Sequence, residues 1–152
     1  MVTSPDQALA ERLRVVLAGR PEVVFAYLFG SSASRRARRR SDVDVGIYAS
    51  RPATPGGATT SDADTWGELA GALQAVVPER RVDVVLLDRA PPLLADRVIR
   101  GGRPIYSRDE VSRLRWVVKT KSRYSDLKPL REALDRTVAE RVRSGHFGTR
   151  GG

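Results

Sequence analysis

The sequence predicts a mixed α/β domain of the α+β kind, a small mixed sheet flanked by helices and followed by a long C-terminal helical segment. Three observations predict it. Short apolar runs rich in Val, Ile and Leu recur at 23–29, 42–48 and 81–87. Stretches with apolar residues three and four apart alternate with them, which is the helical period. Glycine, proline and polar clusters separate the two kinds of segment, and such residues punctuate chains at turns. Alternation of this sort layers helices on a sheet.

The elements come in order along the chain. Ser4-Pro5-Asp6-Gln7 opens a helix: serine caps, proline takes the first helical position and Gln7 completes a capping box. Leu9, Leu13, Val16 and Leu17 form its apolar face, and Gly19 ends it. The run 23–29 is apolar throughout, the mark of a strand covered on both faces. Residues 32–40 read as a helical turn plus loop, 42–48 as a second strand, and 51–61 as a Pro/Gly/Thr-rich loop. A helix is expected over 62–77, with Trp66, Leu69, Leu73 and Val76 on one side. A third strand is expected over 81–87, a short helix over 91–100, and a fourth strand over 103–106. From 109 to 143 the pattern is helical, and Pro129 forces a kink or break. The expected organisation is therefore one domain over 1–143, whose segment 109–143 offers a partner interface, with a disordered tail over 144–152.

Composition narrows the chemistry. The chain has 152 residues, enough for one domain. It has no cysteine and a single histidine, His146, which rules out a disulfide framework and a thiolate or histidine-rich metal site. Metal chemistry must run through carboxylates, which suit hard cations such as Mg2+. No apolar run reaches the roughly 20 residues that span a bilayer, and residues 1–11 lack a basic stretch followed by an apolar one. A cytoplasmic location without membrane attachment is expected. The net charge is +9, nearly all from arginine spread along the chain. Such a charge favours acidic partners in general, but no aromatic-interleaved basic strand or recognition helix accompanies it, so direct nucleic-acid binding is not expected.

Three places carry chemistry. Gly30-Ser31 comes directly after the first strand. Glycine lets a backbone approach a ligand closely, and successive N–H groups with a hydroxyl can hold phosphate oxygens; an ordinary turn looks the same. Asp42-Val43-Asp44 begins the second strand. Side chains two apart on a strand share a face, and two such carboxylates repel unless a cation lies between them. Asp62-Ala63-Asp64 has the same spacing but opens a helix after a Gly/Thr-rich loop, where aspartates cap and complement the helix dipole. Context, then, separates the two pairs. Asp83 is the one carboxylate within the third apolar run. A charge there is costly unless paired or metal-bound, and the alternatives are an ion pair with Arg81 or Arg103. If its strand lies beside that of Asp42 and Asp44, three carboxylates meet, as two-metal transfer to an activated hydroxyl requires, with Asp83 placed to take the proton.

"FGSSASRRARRRSDVDVGIY" resembles the signature of the polymerase-β-type nucleotidyltransferases, a Gly-Ser pair, ten residues, then Asp-x-Asp; ten residues separate Ser31 from Asp42 here. "RRVDVVLLDRAPPLLADRVIRGGRPIY" resembles the next segment of the minimal nucleotidyltransferases, and "RYSDLKPLREALDR" is similar to the C-terminal helix of the MNT antitoxins that pair with HEPN ribonuclease toxins. The resemblance spans roughly residues 22 to 140. It implies a polymerase-β-like nucleotidyltransferase fold. Gly30 and Ser31 would hold the triphosphate of ATP, Asp42 and Asp44 would bind Mg2+, and Asp83 would complete the metal site and act as base. It also implies AMP transfer to a tyrosine hydroxyl of a HEPN toxin held in a hetero-oligomeric complex. In one departure, Arg35 stands where members often carry glycine five residues after the motif glycine, making the loop stiffer and more basic. Two other readings compete: an antibiotic-type enzyme with a small-molecule acceptor, and a module that neutralises a toxin without catalysis. Arg35, Arg36, Arg38, Arg39 and Arg40 would steer triphosphate or partner, or be a solvated loop. Trp66 and Trp116 are expected in the core or an interface and not as base-stacking groups, with Tyr106, Trp116 and Tyr124 as candidate partner-surface residues.

Overall fold

The computed structural model describes residues 4–30, 42–50, 62–122 and 128–144. The chain divides into two units at the Arg108–Asp109 boundary.

The first unit opens with α1 (Pro5–Ala18). Ser4 Oγ accepts from the Gln7 N–H while the Gln7 side chain accepts from the Ser4 N–H, so the capping box is complete. Gly19 is the C-cap, with φ −81°, outside the left-handed region. β1 (Val23–Phe29) is buried along its whole length, as its unbroken apolarity requires, because it lies inside the sheet with β2 (Val43–Ala49) on one side and β4 (Arg103–Ser107) on the other. Both neighbours run antiparallel to it. β3 (Val82–Leu86) pairs parallel with β2 at the outer edge, giving the order β3-β2-β1-β4. A parallel pair needs a crossover, supplied by α2 (Asp62–Val76). α3 (Pro92–Gly101) joins β3 to β4 and packs on β1.

The core lies between the sheet and the α1–α2 layer. Leu9, Leu13 and Leu17 from α1 and Leu69, Leu73 and Val77 from the α2 end meet Ala26, Leu28, Val43, Val45 and Ile47 from the strands. Trp66 packs against this cluster, and so does the half-buried Tyr106. Since Val43, Val45 and Ile47 face the helices, the alternate residues Asp44, Gly46 and Tyr48 face the other way. Tyr48 stacks on its cross-strand partner Phe25, centroids 4.7 Å apart.

The second unit shows a break, one of the two outcomes expected around Pro129. It contains α4 (Glu110–Lys121) and α5 (Lys128–Arg143), which pack on each other. Pro129 occupies the second position of α5, where a missing N–H breaks no helical bond, so the interruption precedes the proline. Asp109 caps α4: its carboxylate accepts from the Ser112 N–H and hydroxyl, and from Arg141 of α5 at 2.8 Å. Burial alone would raise the Asp109 pKa, but the Ser112 hydrogen bonds and the Arg141 charge more than offset it and hold the carboxyl below its ordinary value. Its contribution to stability is thus present above the ordinary aspartate range and lost as acid protonates it. Trp116 is buried, in line with the core reading. Tyr124, the turn over 32–40, the loop over 51–61 and the tail beyond Ser144 lie outside the described residues.

Leu13 has no exposed surface, whereas Val15 on the same helix is 64% exposed. Leu13→Ala is expected to cost about 2–5 kcal/mol in urea unfolding, and Val15→Ala less than about 0.5 kcal/mol.

Candidate functional site

Strand directions gather the site. β2 and β3 run parallel and start at one edge of the sheet; β1, antiparallel to them, ends there. The register sets Asp44 beside Asp83 on adjacent strands and Phe29 opposite Asp44, which brings Gly30 alongside. Asp42 precedes β2 by one residue and is exposed, a one-residue shift from the expected strand start. Val82 and Val84 pack on or in the core, so Asp83 shares with Asp44 the sheet face turned away from α1 and α2.

Gly30 is required on two counts. Its φ of +71° lies in the left-handed region, where a side chain strains the backbone. A Cβ there would also overlap Asp44 Oδ2. The glycine of the Gly-Ser pair therefore makes room for the carboxylate of the Asp-x-Asp pair, a link between the two halves of the motif that spacing alone does not disclose. Ser31 and the arginine cluster over 35–40 lie outside the described residues.

The Asp44 carboxyl is pushed above its ordinary pKa, first by burial and then by the charges of Asp83 and Asp42. All three carboxylates thus act on one point. The Arg81 guanidinium meets Asp83 Oδ1 at 3.1 Å, so Asp83 has both of the neighbourhoods its sequence context allowed, the carboxylate group and the ion pair. Arg103 instead reaches the Asp6 carbonyl on α1. Among the described residues no three acidic, histidine or cysteine side chains stand close enough to cage a cation as they are. The donor set nonetheless suits a hard divalent ion: it is all carboxylate oxygen, and Asp44 carries uncompensated repulsion that a cation would relieve.

One contributor is silent in the sequence. Gln74, in the last turn of α2, donates to the carbonyls of Val77 (2.9 Å) and Arg80 (2.7 Å) and accepts from the Val82 N–H (3.0 Å). Glutamine near a helix end carries no distinguishing signal, since its partners depend on the path of the turn beyond it. The Asp62-Ala63-Asp64 pair opens α2, away from strand context.

The family model "Polymerase beta, Nucleotidyltransferase" matches residues 11–111 of the chain. The chain is similar to the protein adenylyltransferase MntA of Shewanella oneidensis, with 30% identity over 129 residues, 84% of this chain and 86% of that protein. It is similar to a crystal structure of a toxin–antitoxin with AMP-PNP, at a TM-score of 0.61 and 27% identity, covering 86% of this chain and 98% of that one. It is also similar to a chain in the structure of the tri-AMPylated Shewanella oneidensis HEPN toxin in complex with MNT antitoxin, at a TM-score of 0.58 and 25% identity, covering 88% and 98% respectively.

A carboxyl whose pKa is raised by folding favours the native state while protonated and opposes it once ionised. Asp44→Asn should therefore melt at a higher temperature than the wild type in metal-free buffer at neutral pH. The gap should close as pH falls through the raised value toward the ordinary aspartate pKa of about 3.9. Thermal melts across that range check both the sign and the window.

Proposed function

The chain belongs to the polymerase-β nucleotidyltransferase family, and from that membership we propose that it is an antitoxin-type protein adenylyltransferase, moving AMP from ATP to a hydroxyl of a HEPN ribonuclease toxin and so neutralising it. The observation that carries the reading is the pairing of Asp44 with Asp83 on parallel strands, with Asp42 and the positive-φ Gly30 at the same edge. The similarity to the protein adenylyltransferase MntA supports the acceptor class.

In this reading the acceptor, a tyrosine hydroxyl, attacks the α-phosphorus of ATP. An O–P bond forms to the toxin, the bond between the α-phosphorus and the bridging oxygen to the β-phosphate breaks, and pyrophosphate leaves. Gly30 and Ser31 hold the triphosphate through backbone N–H groups and the hydroxyl. Asp42, Asp44 and Asp83 would hold Mg2+, which when bound would neutralise phosphate charge and acidify the attacking hydroxyl. Asp83 receives the proton. The toxin docks on the second unit. The α5 stripe of Leu130, Leu134 and Val138 is only half-buried and Val142 is 49% exposed, and apolar area left in water marks an interface.

Asp42→Ala with Asp44→Ala should abolish transfer of labelled AMP to the toxin while the metal-free melt stays cooperative; full activity would remove both residues from the site. Asp62→Ala with Asp64→Ala should stay within a few-fold of wild type. Val142→Glu should weaken toxin capture and leave titration with a non-hydrolysable ATP analogue unchanged.

A further inference from the structure

We propose that Gln74 is a positioning residue for Asp83: its side-chain amide sets where β3 begins, and through that the place of the third carboxylate. The inference rests on the proposed function, in which Asp83 is a metal ligand.

The α2–β3 connection poses a bonding problem. The last carbonyls of a helix have no partner within it, and β3 must start within a few residues, in parallel register with β2. Two side chains solve the problem differently. Arg12 of α1 donates to the Val76 carbonyl at 3.0 Å and pairs with Glu79 at 2.7 Å, so it ties the turn to α1. Gln74 works inside the turn. Its NH2 group spans the Val77 and Arg80 carbonyls, and its carbonyl oxygen accepts the Val82 N–H. Only an amide presents two donors and an acceptor in one plane, so one side chain grips the helix end, the turn and the first residue of the strand.

The turn leads straight into the site. Arg81 gives its carbonyl to the Val43 N–H at 2.8 Å, the first rung between the connection and β2. Val82 is partnered with Val43 in the ladder, and Asp83 with Asp44. β3 is an edge strand bonded to the sheet on one side only. Its starting point is therefore held by β2 on one side and by Gln74 from the turn. A one-residue slip would turn Asp83 to the opposite face; smaller displacements would widen the gap between its carboxylate and that of Asp44.

The test uses the full chain, with Mn2+ alone as probe, and compares wild type with Gln74→Met, Gln74→Glu and Arg12→Met. Gln74→Met is near-isosteric and breaks all three bonds. Arg12→Met loosens the same turn without touching β3. Melts and Mn2+ titrations are run well below the lowest melting temperature. Both methionine variants should melt lower than wild type. Gln74→Met alone should bind Mn2+ more weakly, about fivefold if one net hydrogen bond of alignment is lost. Gln74→Glu keeps the acceptor for Val82 but sets a carboxylate oxygen against the Val77 and Arg80 carbonyls, so it should bind Mn2+ at least as weakly as Gln74→Met, and whichever of the two folds carries the comparison. Mn2+ affinity in the Gln74 variants equal to wild type, or lowered equally in Arg12→Met, would overturn the proposal and leave Gln74 a purely structural clasp. Absence of Mn2+ binding by the wild type would instead overturn the metal assignment of the proposed function.

Discussion

The parallel pairing of β2 with β3 is the constraint on which the rest depends. Parallel neighbours start at the same edge of a sheet, so residues near their beginnings become neighbours however far apart they lie in the chain. Here that rule sets Asp44 beside Asp83. The same rule demands a crossover, and α2 both provides it and covers the core face. β1 runs antiparallel to β2, which delivers the end of β1, and Gly30 with it, to the edge where the carboxylates meet.

Such an edge is unfavourable on its own terms. Burial and two like charges push Asp44 toward its neutral form, and the missing Cβ of Gly30 lets its carboxylate sit where a larger residue would displace it. The fold tolerates this arrangement because the opposite face of the same strands is well buried. Val43, Val45 and Ile47 have no exposed surface. Alternation along β2 thus divides one strand into an anchoring face and a charged face.

The arginine content has a structural side that net charge does not convey. Arg12 takes a helix-end carbonyl, Arg103 the Asp6 carbonyl, Arg108 the Pro21 carbonyl, and Arg141 the capping carboxylate of α4. A guanidinium is long, always charged and offers several donors, which suits it to closing backbone groups that short turns leave open. Part of the +9 charge therefore serves to join elements within each unit.

Much of the fold is legible in the sequence because its signals are local. The capping box at Ser4, the unbroken apolarity of β1 and the alternation of β2 each depend on residues a few positions apart, and each element appears within one residue of where those signals put it. The Asp-x-Asp pair is separable from its copy at Asp62 and Asp64 because strand and helix contexts differ locally. The second unit is less legible: periodicity continues across Pro129, which allows a kink or a break, and the structure takes the break, with the proline inside the first turn of α5. Of the partners of Asp83, the Arg81 pair is local, two residues away in the chain. Asp44 was brought by tertiary structure, through the parallel register, because strand pairing joins residues that no spacing rule relates. Gln74 was silent for a related reason: three backbone groups between Val77 and Val82 make it a clasp, and their convergence depends on the path of the turn, which residue spacing does not state.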